Sequence, residues 1–168
     1  VRLATFLHDV GKIGVPSALL THDGPLGSED RLVIERHPEV GARLRAPRGV
    51  SAELVAAVRH HHERWDGGGY PDRLVGEAIP LTARIIQIAD AFDAMTSGAR
   101  SARAKFSRAG ALAELERCAG SQFDPTLVKE FAAIAEAPAG EVDLDFVADL
   151  VASTRSLSES AVPLARRS

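Results

Sequence analysis

R-H-H-H-E-R-W-D-G-G-G-Y-P, running from Arg59 to Pro71, crowds three histidines, Glu63 and Asp66 into eight residues and then supplies Gly67, Gly68 and Gly69. Imidazole and carboxylate donors come first, and a backbone free to take positive φ follows. Adjacent histidines on a helix point about 100° apart, so His61 and His62 are expected either to face different metals of one cluster or to split between a metal and a carboxylate. A single metal rarely uses both. The alternative is a solvated helix end before a turn, and the rest of the chain must decide between them.

Immediately upstream, Ser51 caps a short predicted helix, S-A-E-L-V-A-A-V-R-H-H-H, which delivers the histidines and turns Leu54, Val55 and Val58 towards the core. Downstream, P-L-T-A-R-I-I-Q-I-A-D-A-F-D-A-M from Pro80 to Met95 is apolar on nearly every side and predicts the most buried helix. An aspartate in its middle needs a partner. Asp90 is therefore either half of a buried salt bridge, with Arg84 as the candidate, or a metal ligand. Asp93, three residues on, shares its side of the helix.

Towards the N-terminus, V-R-L-A-T-F-L reads as the last turns of a helix whose start precedes Val1, ending at His8-Asp9-Val10-Gly11-Lys12 with Gly11 as the stop. His8 beside Asp9 places a nitrogen ligand next to a carboxylate able to bridge, and Lys12 reaches the same space. From Ser28, S-E-D-R-L-V-I-E-R-H-P-E-V-G-A-R-L has a capping serine, acids in the first turn and apolar residues at helical spacing. One helix is predicted, with His37 in its middle and a kink at Pro38. Ser107 caps another helix through Cys118, and Asp124-Pro125 opens a further one; both are scaffold. Beyond Ala137 one more amphipathic helix is expected, then a disordered tail from Ser153. With no persistent strand-period alternation, the fold class is all-α.

The 168 residues, 45% apolar and 26% charged, suffice for one domain with a proper core. A net charge of −3 argues against duplex DNA as the default partner. The lone Cys118 excludes an internal disulfide and agrees with a reducing, cytoplasmic setting, and no apolar run reaches the ~20 residues of a membrane span. His8, Asp9, His37, His61, His62 and Asp90 thus gather at the ends or middles of four predicted helical segments. Imidazole plus carboxylate without thiolate favours iron or manganese ahead of zinc, and two adjacent metals are easily bridged by Asp9. Six ligands exceed what one tetrahedral zinc uses.

H-D-V-G-K-I-G-V-P at the start, H-H-E-R-W-D-G-G-G-Y-P in the middle, I-P-L-T-A-R-I-I-Q-I-A-D-A-F-D-A-M-T-S after it and Q-F-D-P-T-L-V from Gln122 together resemble the HD-GYP family of metal-dependent phosphohydrolases. The likeness spans roughly Val1 to Ala135. It implies an all-α HD-type helical bundle with a Gly-rich loop between helices, over residues 1–136, followed by a C-terminal extension over 137–168. It also implies cleavage of the bacterial second messenger cyclic di-GMP to pGpG or GMP. Carried over position by position, His8, Asp9, His37, His61, His62 and Asp90 match the metal ligands, for two divalent cations with a third allowed. Asp9 and Lys12 match the catalytic groups, and Tyr70, Gly69, Asp93, Arg100 and Arg103 are assigned to the substrate.

The family carries a further histidine, and in some members a glutamate, on the helix upstream of His-Asp, which this chain starts too late to contain. Its expected exposed core makes the fragment prone to instability or aggregation. Members also commonly continue after the Asp90 helix with Arg-Pro-Tyr-Arg or Arg-Pro-Tyr-Lys. Here T-S-G-A-R-S-A-R-A-K-F stands instead, with Ala99, Arg100 and Ser101 at the ungapped counterparts of the arginine, proline and tyrosine. Arg100, Arg103 and Lys105 keep the charge but not the register, either as a phosphate clamp or as a solvated loop. Three functions follow: an active cyclic di-GMP phosphodiesterase, a weakly catalytic nucleotide sensor or module docking partners such as diguanylate cyclase domains, and a phosphohydrolase of another nucleotide. An upstream sensory or receiver domain is expected by analogy.

Overall fold

The computed structural model describes residues 2–22, 24–45, 49–97 and 105–136. These residues form helices α1 (Arg2–Leu7), α2 (Ser17–Leu20), α3 (Ser28–Ile34), α4 (His37–Arg45), α5 (Ala52–His60), α6 (Leu81–Ser97), α7 (Arg108–Arg117) and α8 (Pro125–Glu136), with 3-10 turns at Val10–Gly14 and Gly76–Ala78. Among them there is no strand, only one isolated bridge between Ala119 and Phe123, as the all-α reading requires. The chain divides into two units, Val1–Ala132 and Ala133–Ser168, and every site residue described below belongs to the first. The helix and tail expected beyond Ala137, and the segment from Ala99 to Ser101 with Arg103, lie outside the described residues.

The caps explain where helices begin. Ser51 Oγ accepts from the Leu54 amide at the start of α5, and Ser107 accepts from the Gly110 amide at the start of α7. Asp124 Oδ1 accepts from the Thr126 and Leu127 amides, with Pro125 as the first residue of α8. Ser28 behaves differently: Gly27 is the N-cap of α3 and makes no side-chain cap bond.

The single helix expected from Ser28 is two. α3 ends at Ile34, Glu35 and Arg36 turn, and α4 starts at His37. Pro38 thereby falls in a first turn, where the missing N–H has no intrahelical partner to lose, so a break costs less than a kink. His37 stands at a helix start rather than in a helix middle.

Gly11 likewise has another role than the one expected. It lies inside the 3-10 turn, where a Cβ would come 1.9 Å from His37 O and 2.5 Å from Gly41 N. Only glycine lets the Val10–Gly14 turn lie backbone to backbone on α4, and that approach carries Asp9 to His37. One step further, a Cβ on Gly41 would meet Val58 Cγ1 at 2.9 Å, which brings α5 against the same face.

Ala4 of α1, Leu54, Ala57 and Val58 of α5 and Ile86 of α6 form the buried cluster beneath these contacts, with Leu7 and Val50 packed on it. Thr82, Ala83, Ile86 and Ile88 make α6 a largely internal helix. Arg84 on α6 does not pair with Asp90. Its Nη1 donates to Asp124 Oδ2 at 2.6 Å and its Nε to Ile79 O at 2.9 Å, while the guanidinium lies 5.8 Å from the Trp65 ring. The buried salt bridge weighed for Asp90 therefore belongs to Asp124, and Asp90 is left towards the His8 side. Phe6 and Ile13 are exposed, at 86% and 83%.

Candidate metal centre

His8 follows the end of α1, His37 comes three residues after the end of α3, and His61 is the C-cap of α5. Each ring reaches back three residues to one of the last four carbonyls of its helix, groups that have no intrahelical donor. The Nδ1 bonds run from His8 to Thr5 O at 2.6 Å, from His37 to Ile34 O at 2.7 Å and from His61 to Val58 O at 2.7 Å. A carbonyl only accepts, so Nδ1 carries the proton in each neutral ring and Nε2 presents a lone pair.

Those lone pairs converge. His37 Nε2 and His61 Nε2 are 3.2 Å apart, and both rings are 1% exposed. Two acceptors facing each other in a dry interior repel unless a cation lies between them. The separation suits two nitrogens each roughly 2.0–2.1 Å from one ion. Asp9 Oδ1 stands 3.3 Å from His37 Nε2 and 3.9 Å from His61 Nε2. With His62 added, one donor atom from each of the four residues lies within 4.8 Å of the others.

The second oxygen of Asp9 looks the other way. Oδ2 is 3.5 Å from His8 Nε2 and accepts from Lys12 Nζ at 2.5 Å, and His8 Nε2 is 3.7 Å from Asp90 Oδ1. His8 Nε2 is buried without a hydrogen-bond partner. One carboxylate thus lies between a His37–His61–His62 group and a His8–Asp90 group. The donors, imidazole and carboxylate with no sulfur, fit hard-to-borderline divalent cations.

Electrostatics prepares the rings for that. Burial pushes the His61 imidazole down to about 2, helped by His62, His8 and His37, and burial with His37 pushes His62 down to about 4. Both imidazoles are neutral at neutral pH, so each keeps one ring nitrogen free of a proton and open to a cation. For Asp9 burial opposes ionisation, but hydrogen bonding and the charge of Lys12 outweigh it and hold the carboxyl far below the usual range. For His8 burial also works against the charge, and Asp90, the Thr5 carbonyl and Asp9 outweigh it and raise the imidazole.

The expected division of labour between His61 and His62 changes in one respect. α5 ends at His60, and His61 has φ −67° and ψ −8° in the turn that follows, so the helical angle between neighbours does not govern where His62 points. Both rings join the same group, with centroids 4.3 Å apart. The first histidine of the run leaves it: His60 donates through Nδ1 or Nε2 between Ala56 O and Asp72 Oδ2, each at 2.9 Å, and Arg59 grips Asp72 with Nε and Nη2 at 2.8 and 2.7 Å. Burial pushes the Tyr70 hydroxyl up, and its ring stacks on His62 at 5.0 Å with 20° between planes.

The glycine loop owes less to positive φ than its composition suggests. Only Gly67 of the three has it, at +79°. Gly69 is required by space, since a Cβ would come 2.3 Å from Arg64 N and 2.6 Å from Glu63 Cα. Asp66 serves this loop rather than a metal, accepting from Gly68 N at 2.9 Å and from Arg64 Nε and Nη2 at 3.0 and 2.7 Å. Asp93 is exposed and makes no described side-chain contact with the cluster. Arg100 and Arg103 lie outside the described residues, and Lys105 is exposed.

The family model described as HD domain matches residues 1–127. The chain belongs to the HD domain family. The Gly-Tyr-Pro loop next to the histidines marks this HD domain as the HD-GYP form. It is 44% identical over 131 residues to "Cyclic di-GMP phosphodiesterase response regulator RpfG" of Xanthomonas campestris pv. campestris, covering 76% of this chain and 34% of the relative. It is 36% identical over 131 residues to "3'3'-cGAMP-specific phosphodiesterase 2" of Vibrio cholerae serotype O1, covering 77% of this chain and 25% of the relative. The HD domain therefore spans a quarter to a third of the length of these curated relatives. A solved cyclic GMP-AMP phosphodiesterase of Vibrio cholerae shares the fold, with a TM-score of 0.58 and 23% identity over 97% of this chain and 42% of that one. Among the described residues no helix is long and apolar enough to cross a membrane.

Proposed function

We propose that this HD domain is a metal-dependent phosphodiesterase that hydrolyses cyclic di-GMP to a linear product, in the cytoplasm of a bacterium and under control of a sensory or receiver domain elsewhere in a longer protein. The observation that carries the reading is the His37–His61 pair, two buried lone pairs 3.2 Å apart beside Asp9. The names of the relatives supply the substrate class.

In this reading His37, His61, His62 and Asp9 would hold one cation, and His8 and Asp90, with Asp9 beside them, would hold another, with iron or manganese suited to the donors. When bound, such ions supply Lewis acidity towards phosphate oxygens and bring the pKa of water close to neutrality. Lys12, an ammonium held against Asp9, offers positive charge to the non-bridging oxygens as the phosphodiester opens. Tyr70, fixed on His62, forms an aromatic wall for a base or ribose, and Gly69 lets the loop close on it. Asp93, Arg100 and Arg103 are assigned to the outer part of the substrate. Departure from the Arg-Pro-Tyr register at Ala99 weakens a phosphate clamp by about 1.5–3 kcal/mol per charged contact.

A second reading, hydrolysis of 3'3'-cGAMP, is favoured by the relative that carries that name. The test is metal analysis of the purified protein with parallel hydrolysis of cyclic di-GMP and 3'3'-cGAMP in added manganese or ferrous iron. Bound metal and linear product, both lost in Asp9→Asn, support the enzyme. Preference between the two nucleotides chooses the substrate. Metal without turnover of either favours a sensor that docks partners such as diguanylate cyclase domains, and absence of metal overturns the proposal.

A further inference from the structure

Glu63 is a carboxylate with 1% exposure that no cation in the chain neutralises through a described ion pair. It directly follows His62, yet its side chain turns away from the metal-binding group. Oε1 accepts from the Asp72 amide at 2.6 Å and Oε2 from the Leu74 amide at 3.1 Å. Burying an ionised carboxylate is costly unless several donors meet it, and here they are backbone amides of the chain that has just passed through Tyr70 and Pro71. Arg73, between those two amides, is held at φ +56°, and the backbone turn there brings the flanking Asp72 and Leu74 N–H groups onto one carboxylate.

The backbone of the same residue is fixed from the other side. Glu63 O accepts from Gln87 Nε2 at 2.5 Å, and Glu63 N donates to His60 O at 2.9 Å. Gln87 lies three residues before Asp90 on α6, so it stands one helical turn from a candidate ligand. The loop also crosses directly over Glu63, since Gly69 has no room for a side chain against Glu63 Cα and Tyr70 N donates to His62 O at 3.3 Å. One residue therefore joins three things: the end of the His61-His62 pair, the helix of Asp90, and the return limb of the loop that holds Tyr70.

We infer that Glu63 is a positioning residue that clamps the Tyr70 loop to the metal centre, so that the substrate wall and the ligand cluster move as one body. Its carboxylate is taken up by the Asp72 and Leu74 amides, so it acts through Tyr70 rather than on substrate or ion. The substrate half of the inference rests on the function proposed above; the clamp itself does not.

The experiment joins site-resolved amide exchange to steady-state kinetics in the full chain, for the wild type and Glu63→Gln. In the wild type the Asp72 and Leu74 amides are protected well above the intervening Arg73 amide. Glu63→Gln keeps the volume but turns an NH2 towards one of the two N–H groups. It is expected to speed exchange at Asp72 or Leu74 at least tenfold with bound metal unchanged, and to raise KM several-fold while kcat stays within about threefold. A purely structural role would lower activity only in proportion to folded, metal-loaded protein and would leave KM unmoved, and that result overturns the inference. So does wild-type exchange at Asp72 and Leu74 as fast as at Arg73, a measurement that needs no variant to fold. If the wild type binds metal but hydrolyses neither nucleotide, the proposed function fails while the exchange data still decide the clamp.

Discussion

His37 and His61 present their Nε2 atoms to each other at 3.2 Å, and each ring has already committed Nδ1 to a backbone carbonyl. Neither ring can donate to the other without giving up that bond. In the function proposed above a cation would relieve that repulsion, and metal binding would then add to folding free energy. At a hundred times its dissociation constant a single-site ligand adds about 2.7 kcal/mol, which in a domain of this size raises Tm by roughly 10 °C. Manganese or ferrous iron should do this and a chelator should reverse it. In His37→Ala the shift should shrink to a small fraction, as read by calorimetry.

Acid should destabilise the metal-free chain in a defined window. His61 and His62 titrate at about 2 and about 4 when folded, against an ordinary value near 6.5. Between pH 6.5 and 4 the unfolded chain binds more protons at both, so stability rises with pH there and falls as pH is lowered, by up to about 1.4 kcal/mol per pH unit for each ring. The raised His8 acts in the opposite sense, but above pH 6.5, and the depressed Asp9 acts only below the ordinary carboxyl range. Tm of the chelator-treated protein is expected to drop steadily from pH 6.5 to 4.5, with a shallower slope in His62→Gln.

Gly11→Ala should disturb the candidate metal centre without replacing any of its donor side chains. The added methyl would meet His37 O and Gly41 N, both backbone, so the 3-10 turn must lift off α4 and take Asp9 with it. Overpacking of this kind costs about 1–3 kcal/mol. Metal affinity is expected to fall at least tenfold by competition with a chromogenic chelator. Gly14→Ala, where the nearest side-chain atom is an ordinary 3.5 Å away, should leave it unchanged.

Asp124→Asn separates scaffold from chemistry. It keeps an oxygen to cap α8 and removes the charge opposite Arg84, leaving a guanidinium that is 14% exposed without its anion. Breaking such a pair costs about 3 kcal/mol. Denaturant midpoints should fall accordingly while metal content of the folded fraction stays at the wild-type level.

Much of this was legible because it is local. A serine or aspartate three residues before an amide it can reach announces a cap, and Ser51, Ser107 and Asp124 all cap the helices expected of them. The residues of the candidate centre stood out only in combination, since a single His-Asp pair is common while His8-Asp9, His37, His61-His62 and Asp90 together, at these spacings, are not. What stayed hidden depends on distant partners. Arg84 had Asp90 six residues away as an obvious mate, and its actual one, Asp124, lies 40 residues on, brought near by α7 and α8. Gly11 looked like a terminator, because one letter cannot distinguish a glycine needed for φ from one needed for space. Pro38 announced a disturbance without saying whether the helix bends or stops, and Glu63 hid among donors while facing the other way.

The three rings that reach back to Thr5, Ile34 and Val58 are aimed by peptide oxygens rather than by side chains. Every amino acid at those three positions would offer the same acceptor. The hydrogen-bond acceptors that orient the candidate centre therefore do not depend on side-chain identity, although Val58 is constrained by the core in which it is buried. A survey of substitutions would read Val58 as a core position, buried at 0% exposure, and would miss that the carbonyls of Thr5, Ile34 and Val58 also orient the rings.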